Sequence, residues 1–229
     1  SSDLSVNLGR GANEKPEFAF LQLRPMTARA EMIDVDITDE EIAKSFCFSK
    51  HSLGNAVKDD LRDIIFIKPE VFDAAKTVQI AAEIGKLNKI LLTENRRYLL
   101  IGPGRGGSAD HWLGIPVQWS DISGVGAVVE SFSEQIRAEP SQGSHFFHNI
   151  TTLGINYINI TNDQEEFVDW QWLEAQPFSN ETDFTAHVCL DSAFVIKVDG
   201  KTSRCVMHTD PITVFETKTD CPLISTTEV

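Results

Sequence analysis

The clearest pattern in this sequence is an apolar run that ends in a glycine-rich loop. Residues 98–101 read Tyr-Leu-Leu-Ile, and residues 102–108 read Gly-Pro-Gly-Arg-Gly-Gly-Ser. A short apolar run bounded by glycines indicates a buried strand followed by a loop that lets the backbone approach another group closely. Residues 73–92, just before the run, carry apolar side chains at helical spacing and predict a helix that covers the sheet.

Further elements are indicated on both sides of this loop. Alternating or apolar segments predict strands at residues 17–24, 62–68, 125–130, 154–160, 184–190 and 193–198, and Asp199-Gly200 predicts a hairpin turn. Residues 135–140 could form an antiparallel neighbour of the strand at 125–130. Thr38 and Glu41 have the spacing of a capping box, which predicts a short helix. The expected fold is α+β, with a mixed, mostly antiparallel sheet and a few covering helices.

Composition and charge narrow the class of protein. The chain has 34 acidic and 20 basic residues, a net charge of −14, which argues against a nucleic-acid or anionic-membrane partner. No apolar run has the length of a membrane span and no signal peptide is visible, so we expect a cytoplasmic protein. Four cysteines without a Cys-x-x-Cys pair favour buried thiols over disulfides or a zinc site. Because the first residue is Ser1, we expect a piece of a longer protein.

The glycine loop is the first candidate ligand site. Its glycines would free backbone N–H groups to face an anion, its arginine would add a planar five-donor fork, and its serine would add a hydroxyl. The spacing matches neither the Walker loop nor the dinucleotide fingerprint. The alternative is a tight turn whose arginine pairs with a structural carboxylate. The candidate phosphate-binding residues are Gly102, Gly104, Arg105, Gly106, Gly107 and Ser108.

A second candidate anion site follows at residues 140–149. Turn residues lead there into an expected helix start with Ser144 as its cap, so Ser144 and His145 could hold an anion with nearby backbone N–H groups. His145 and His148 also have a spacing compatible with a shared metal, and Asp110 or His111 would complete the set of ligands. A hydrogen-bonded helix face is the alternative.

Near the start of the chain, Phe-Leu-Gln-Leu-Arg-Pro-Met at residues 20–26 resembles the closing strand of a known nucleotide-binding domain. This is the ATP-grasp domain of phosphoenolpyruvate synthase and pyruvate phosphate dikinase. In that family the Gln and Arg face the ATP phosphates, which implies these roles for Gln22 and Arg24. The family also has an acidic metal ligand, usually Glu, on the preceding strand. Asp3 is its match here and would hold Mg²⁺.

The rest of the chain resembles the distinct tail of a shorter group of bacterial proteins that share this ATP-grasp part. The resemblance lies in residues 99–105, 112–119 and 140–149, and a Trp often stands in that group where this chain has Gly106. None of the six histidines has the Gly-Gly-x-Thr-x-His setting of the family's phosphohistidine.

The resemblance therefore implies the C-terminal fragment of an ATP-dependent phosphotransferase, catalytically incomplete by itself, whose parent uses ATP and Mg²⁺. Its partners would be a nucleotide, pyruvate or phosphoenolpyruvate, and the upstream part of its own chain. The expected division is residues 1–26 as the last ATP-grasp strands, 27–208 as an accessory domain and 209–229 as a loosely ordered tail. Two rival functions are a structural or oligomerisation module and a metal-dependent enzyme centred on His145 and His148.

Overall fold

The chain divides into two compact units. A computed structural model describes residues 2–7, 17–23, 33–108, 110, 112–132, 150, 153–161 and 163–209. The first unit, Ser1–Ile33, contains strand β1 (Ser2–Asn7) paired antiparallel with strand β2 (Glu17–Leu23). In this pair Asp3 lies directly opposite Gln22. The strand predicted at residues 17–24 is therefore confirmed.

The second unit, Asp34–Val229, holds the other elements. Its described helices are α1 (Asp39–Lys44), α2 (Thr77–Thr93) and α3 (Trp170–Glu174). Its described strands are β3 (Cys47–Ser49), β4 (His51–Leu53), β5 (Ala56–Ile67), β6 (Tyr98–Pro103), β7 (Arg105–Gly106), β8 (Gly114–Ile115), β9 (Val125–Ser131), β10 (Asn156–Ile160), β11 (Phe167–Val168), β12 (Phe178–Glu181), β13 (Thr185–Asp199) and β14 (Arg204–His208). None of the helices in the described ranges has the length and apolar character needed to cross a membrane.

The main sheet has the order β11-β3-β14-β13-β5-β6-β9-β10-β4, with β12 paired to β13. The pairs β5–β6, β6–β9 and β9–β10 are parallel, and the other pairs are antiparallel. This mixed, mostly antiparallel sheet with few helices confirms the α+β prediction. The predicted antiparallel neighbour of β9, residues 135–140, lies outside the described residues. Both edges of β9 are occupied by the parallel strands β6 and β10, so that pairing was wrong.

Strands β3 and β4, which lie near opposite ends of this order, follow each other directly in the chain, so the sheet closes into a barrel. Only Lys50 separates β3 from β4, yet β3 pairs with β14 and β4 pairs with β10. Alternate residues of the strands, such as Leu99 and Ile101 on β6, fill the interior together with Phe194 and Ile196. The sequence patterns did not predict this closure, because it depends on which distant strands pair.

Glu166 secures the seam where the barrel closes. Its buried carboxylate accepts hydrogen bonds from the backbone N–H groups of Lys50, at 2.6 Å, and Thr161, at 2.7 Å. The Ser49 hydroxyl donates to the backbone carbonyl of Asn159 at 2.5 Å. At the break between β3 and β4 the carboxylate takes the place of backbone carbonyl groups as the acceptor for these two N–H groups. It therefore compensates for the interrupted strand pairing.

Helix α2 packs on the outer face of the parallel strands. Its buried residues Ile80, Ile84 and Leu87 contact a cluster that includes Leu100 and Val128. These positions have the helical spacing seen in the sequence, so the predicted helix is confirmed. Three short turns of 3-10 helix lie at residues 69–71, 74–76 and 119–121. The hydrophobic contact between helix and sheet supplies a second core outside the barrel.

Local signals in the sequence also gave correct elements. The capping box is present at α1, where Thr38 and Glu41 bond to each other's backbone N–H groups. β13 and β14 form the hairpin predicted at Asp199, although residues 200–203 make a longer connection than a two-residue turn. The segments predicted as separate strands at 184–190 and 193–198 form one strand, β13. The proposed tail lies outside the described residues after Thr209.

Candidate functional site

The four parallel strands place the glycine loop at a common edge. Because β5, β6, β9 and β10 run in the same direction, their carboxyl ends lie together, and the loop follows β6 directly. Parallel-strand proteins commonly bind ligands outside the carboxyl ends of their strands. We call this region the carboxyl edge, defined by the loop at residues 102–108 and the strand ends Ile67, Ser131 and Ile160.

The backbone N–H groups of the loop are used inside the protein. Those of residues 104–107 each donate a hydrogen bond at 2.8–2.9 Å. The acceptors are, in order, the carbonyl groups of Ser131 and Leu113, the carboxylate of Glu130 and the carbonyl of Ile115. These N–H groups are thus not free to face an anion, contrary to the expectation from the glycines. Phosphate binding at these residues stays a prediction, and it would depend on the side chains of Arg105 and Ser108.

The glycines instead permit the backbone path of the loop. Gly104 and Gly107 have φ values of 68° and 75°, in the left-handed region that favours glycine. Gly114 allows β8 to approach β7, because a Cβ atom there would lie 1.9 Å from the carbonyl oxygen of Arg105. The loop is consequently a defined structure that positions Arg105 at the carboxyl edge.

A buried carboxylate lies beneath this loop. Glu130, 2% exposed, ends the apolar run of β9 and accepts from the Gly106 N–H at 2.8 Å. The hydroxyl of Tyr157, on the neighbouring strand β10, donates to the other carboxylate oxygen. Glu130 was not identified as a site residue from the sequence, although a single acidic residue at the end of an apolar run is a pattern that could have indicated it. The arrangement joins the end of β9 to the loop and to a side chain from the first half of β10.

Other polar groups at this edge differ in how fully they are bonded. The Ser108 hydroxyl donates to the backbone carbonyl of Asp110 at 3.2 Å and accepts from the Asp110 N–H at 3.3 Å. The side-chain oxygen of Asn159 is buried on β10 and accepts no hydrogen bond from any described residue. Trp112, in the turn between β7 and β8, is 70% exposed. Trp112 therefore exposes its side chain at this edge, whereas the Ser108 hydroxyl is bonded internally and the Asn159 oxygen is buried.

Two cavities adjoin the loop. One of about 20 Å³ lies beneath it, where Gly106 and Glu130 meet Ile84 of α2. The other, of about 90 Å³, lies beyond the strand ends and is lined by Ile67, Pro69, Phe72, Pro103, Ser131, Phe132 and Trp170. The larger volume exceeds the about 10–15 Å³ that a cavity needs to hold one water molecule. Its lining suits the apolar part of a small ligand.

Several predicted site residues cannot be located relative to this edge. Arg24, Ser144, His145, His148 and His111 lie outside the described residues. Gln22 and Asp3 are described through their backbones, which place them opposite each other in the β1–β2 pair. Within the described ranges, no group of three or more His, Cys, Asp or Glu side chains could hold a metal ion.

A second buried charge cluster, absent from the sequence predictions, connects β5, β13 and the segment before β6. Asp63, 2% exposed, lies 2.7 Å from Nε2 of His187 and accepts from Nε of Arg96 at 3.0 Å. Nδ1 of His187 lies 3.2 Å from the side-chain nitrogen of Asn180. Burial acts to raise the pKa of Asp63, but the hydrogen bonds from His187 and Arg96 and their charges outweigh it and lower the pKa. Because His187 is only 2% exposed, this cluster holds strands together rather than meeting a ligand.

Comparison of the chain with protein-family models, curated proteins and solved structures gave no match. The comparisons therefore assign no family.

Proposed function

We propose that residues 34–209 form a domain that binds a small carboxylate- or phosphate-bearing ligand at the carboxyl edge. The observation that carries this proposal is the position of the glycine loop, which holds Arg105 and Ser108, directly after a parallel strand, with its Pro103 lining a cavity of about 90 Å³. A guanidinium suits the planar oxygen pairs of such ligands. The apolar cavity would take the carbon skeleton, and pyruvate and phosphoenolpyruvate are ligands of this kind.

We further propose that the parent protein is an ATP-dependent phosphotransferase of the phosphoenolpyruvate synthase type. The pairing of Asp3 with Gln22 supports this, because the resemblance requires an acidic metal ligand on the strand that precedes the Gln and Arg. Gln22 and Arg24 would contact the ATP phosphates and Asp3 would hold Mg²⁺. In phosphoryl transfer the protein mainly positions phosphates and neutralises charge. With two strands of a nucleotide cleft, this chain would bind substrate without turning it over, in the cytoplasm.

A specific observation favours the second candidate, a structural or oligomerisation module. The N–H groups of residues 104–107 are engaged internally, and a buried carboxylate, that of Glu130, contacts the loop at Gly106. Negative charge at this position opposes the binding of an anion. The exposed side chain of Trp112 would then belong to a contact with another protein surface.

Binding measurements separate these two functions. Phosphoenolpyruvate, pyruvate, pyrophosphate and ATP with Mg²⁺ are each added to the 229-residue chain, and binding is followed by calorimetry and thermal melting. A ligand at 100 times its Kd stabilises the folded state by about 2.7 kcal/mol, which is measurable as a higher melting temperature. Ligand binding predicts that Arg105→Ala weakens the affinity about tenfold or more.

Arg62→Ala is the matched control, because Arg62 donates to the backbone carbonyl of Leu190 on the antiparallel side of the sheet. It should leave the affinity unchanged. If no ligand changes the melting temperature and Arg105→Ala alters only self-association in size-exclusion chromatography, the module function stands and ligand binding is refuted.

A further inference from the structure

A groove of about 530 Å³ lies on a different part of the barrel, beside α1 and the strands β3 and β14. Ile42 and Phe48 supply its apolar lining, and Asp39, Lys50, Glu165 and Arg204 supply its charges. It shares no lining residue with the two cavities at the carboxyl edge. Its volume falls in the range of about 300–1,000 Å³ typical of sites for small molecules.

The two cations of this groove differ in their bonding. Lys50 forms ion pairs with Asp163, at 3.3 Å, and with Glu165. The guanidinium of Arg204 donates no hydrogen bond to any described residue, whereas the guanidinium groups of Arg62, Arg96 and Arg97 each donate to oxygen atoms. In a chain with a large excess of acidic residues, an arginine without a carboxylate partner retains its full capacity to bind an oxygen anion.

Phe48 holds this guanidinium in place. Cζ of Arg204 lies 5.5 Å from the centre of the Phe48 ring, which is 4% exposed and packs against Phe167 with ring centres 6.4 Å apart. A guanidinium within about 6 Å of a ring centre is attracted by the ring, and this contact occupies none of its N–H donors. Because the contact favours one position of the side chain before a ligand arrives, less conformational entropy is lost on binding.

We propose that this groove binds a small organic monocarboxylate with an apolar body. The carboxylate would accept two parallel hydrogen bonds from Arg204, and the apolar body would lie against Ile42 and Phe48. The carboxylates of Asp39 and Glu165 in the same groove disfavour ligands of higher negative charge, such as phosphate. This site is independent of the function proposed for the carboxyl edge.

Nuclear magnetic resonance titration of the ¹⁵N-labelled chain tests the proposal, with benzoate as the probe. Benzoate should give saturable shifts at the backbone amides of Phe48 and Arg204. Acetate, which lacks the apolar body, should bind more weakly, and benzyl alcohol and inorganic phosphate should give no saturable shift there. Arg204→Lys keeps the positive charge but loses the planar guanidinium that donates two parallel hydrogen bonds, and should weaken benzoate binding about tenfold. Arg62→Ala, the control, should bind benzoate like the unchanged chain.

Three results would overturn the proposal. The first is the absence of saturable benzoate shifts at these amides, and the second is an unchanged affinity in Arg204→Lys. The third is saturable binding of phosphate where benzoate fails, which would indicate an adventitious ion only. Since Arg204→Lys retains the charge and the aliphatic stem, its amide spectrum should show an intact fold and leave the comparison interpretable.

Discussion

The substitution Asp63→Asn tests the buried charge cluster that joins β5, β13 and the segment before β6. It preserves the shape of the side chain and removes its charge, leaving His187 and Arg96 without their shared anion. Removing one partner of a buried ion pair typically costs about 3–5 kcal/mol. Arg96 is 34% exposed and can regain hydration, so we expect the low end, about 3 kcal/mol.

Urea denaturation followed by circular dichroism measures this loss. With a slope of about 2 kcal/mol/M, the transition midpoint should fall by roughly 1.5 M. Asp34→Asn is the matched control, because Asp34 forms an exposed pair with Lys201 and should change stability by no more than about 0.5 kcal/mol. A loss below about 1 kcal/mol for Asp63→Asn, or one equal to that of the control, would refute the structural role of the cluster.

The same variant predicts a pH dependence. The pKa of Asp63 is lower in the folded chain than its ordinary value of 3.8, because the hydrogen bonds and charges of His187 and Arg96 outweigh the opposing effect of burial. Its ionised form therefore contributes stability above pH 3.8, and this contribution is lost as the pH falls through the lowered pKa. The stability difference between the unchanged chain and Asp63→Asn should be full at pH 6 and shrink in the acid range below pH 3.8. A difference that grows on acidification would contradict this assignment.

Three further outcomes are expected elsewhere in the second unit. Glu166→Ala should destabilise the chain by about 3 kcal/mol in urea and speed hydrogen exchange at the seam, whereas Glu165→Ala, at an exposed residue, should do neither. Gly114→Ala places a Cβ atom against the backbone of β7 and should cost about 2 kcal/mol or more, and an unchanged melting temperature would disprove that contact. Burial, followed by the charge of Glu166, raises the pKa of Cys47 to about 12, and burial raises the pKa of Cys205 well above its ordinary value. At pH 8 iodoacetamide should therefore modify both thiols only after unfolding, as peptide mass spectrometry would record.

The elements with local causes were predictable from the sequence. The spacing of apolar residues identified α2, and the Thr38–Glu41 capping box marked the start of α1. β13 was predicted as two strands because Asp191 and Ser192 interrupt its apolar pattern. In the structure these two exposed residues lie where the register with β5 shifts, and the strand continues through them. A bulge of this kind is set by the neighbouring strand and leaves no distinct local pattern.

The place of the glycine loop in the fold was predicted from the sequence, but its hydrogen bonding was not. The glycine loop does follow a buried strand, as the apolar run of β6 indicated. The acceptors for the N–H groups of the loop lie on or next to β8 and β9. They could not be predicted, because the spacing of residues along the chain does not determine which strands become neighbours. For the same reason Glu130 and Asp63 appeared as ordinary acids in the sequence, although both are 2% exposed in the fold.

Barrel closure also constrains the order in which this chain can fold. Ser52 bonds to the carbonyl oxygen of Ser203, 151 residues later, and β3 acquires its partner β14 near the end of the described chain. A ribosome must therefore synthesise almost the whole domain before the first-made barrel strand can find its neighbours. Contacts this distant along the chain slow folding, since a long loop must close before any of them forms. Truncation before β14 would leave the edges of β3 and β13 without their native partner and open to association with other chains.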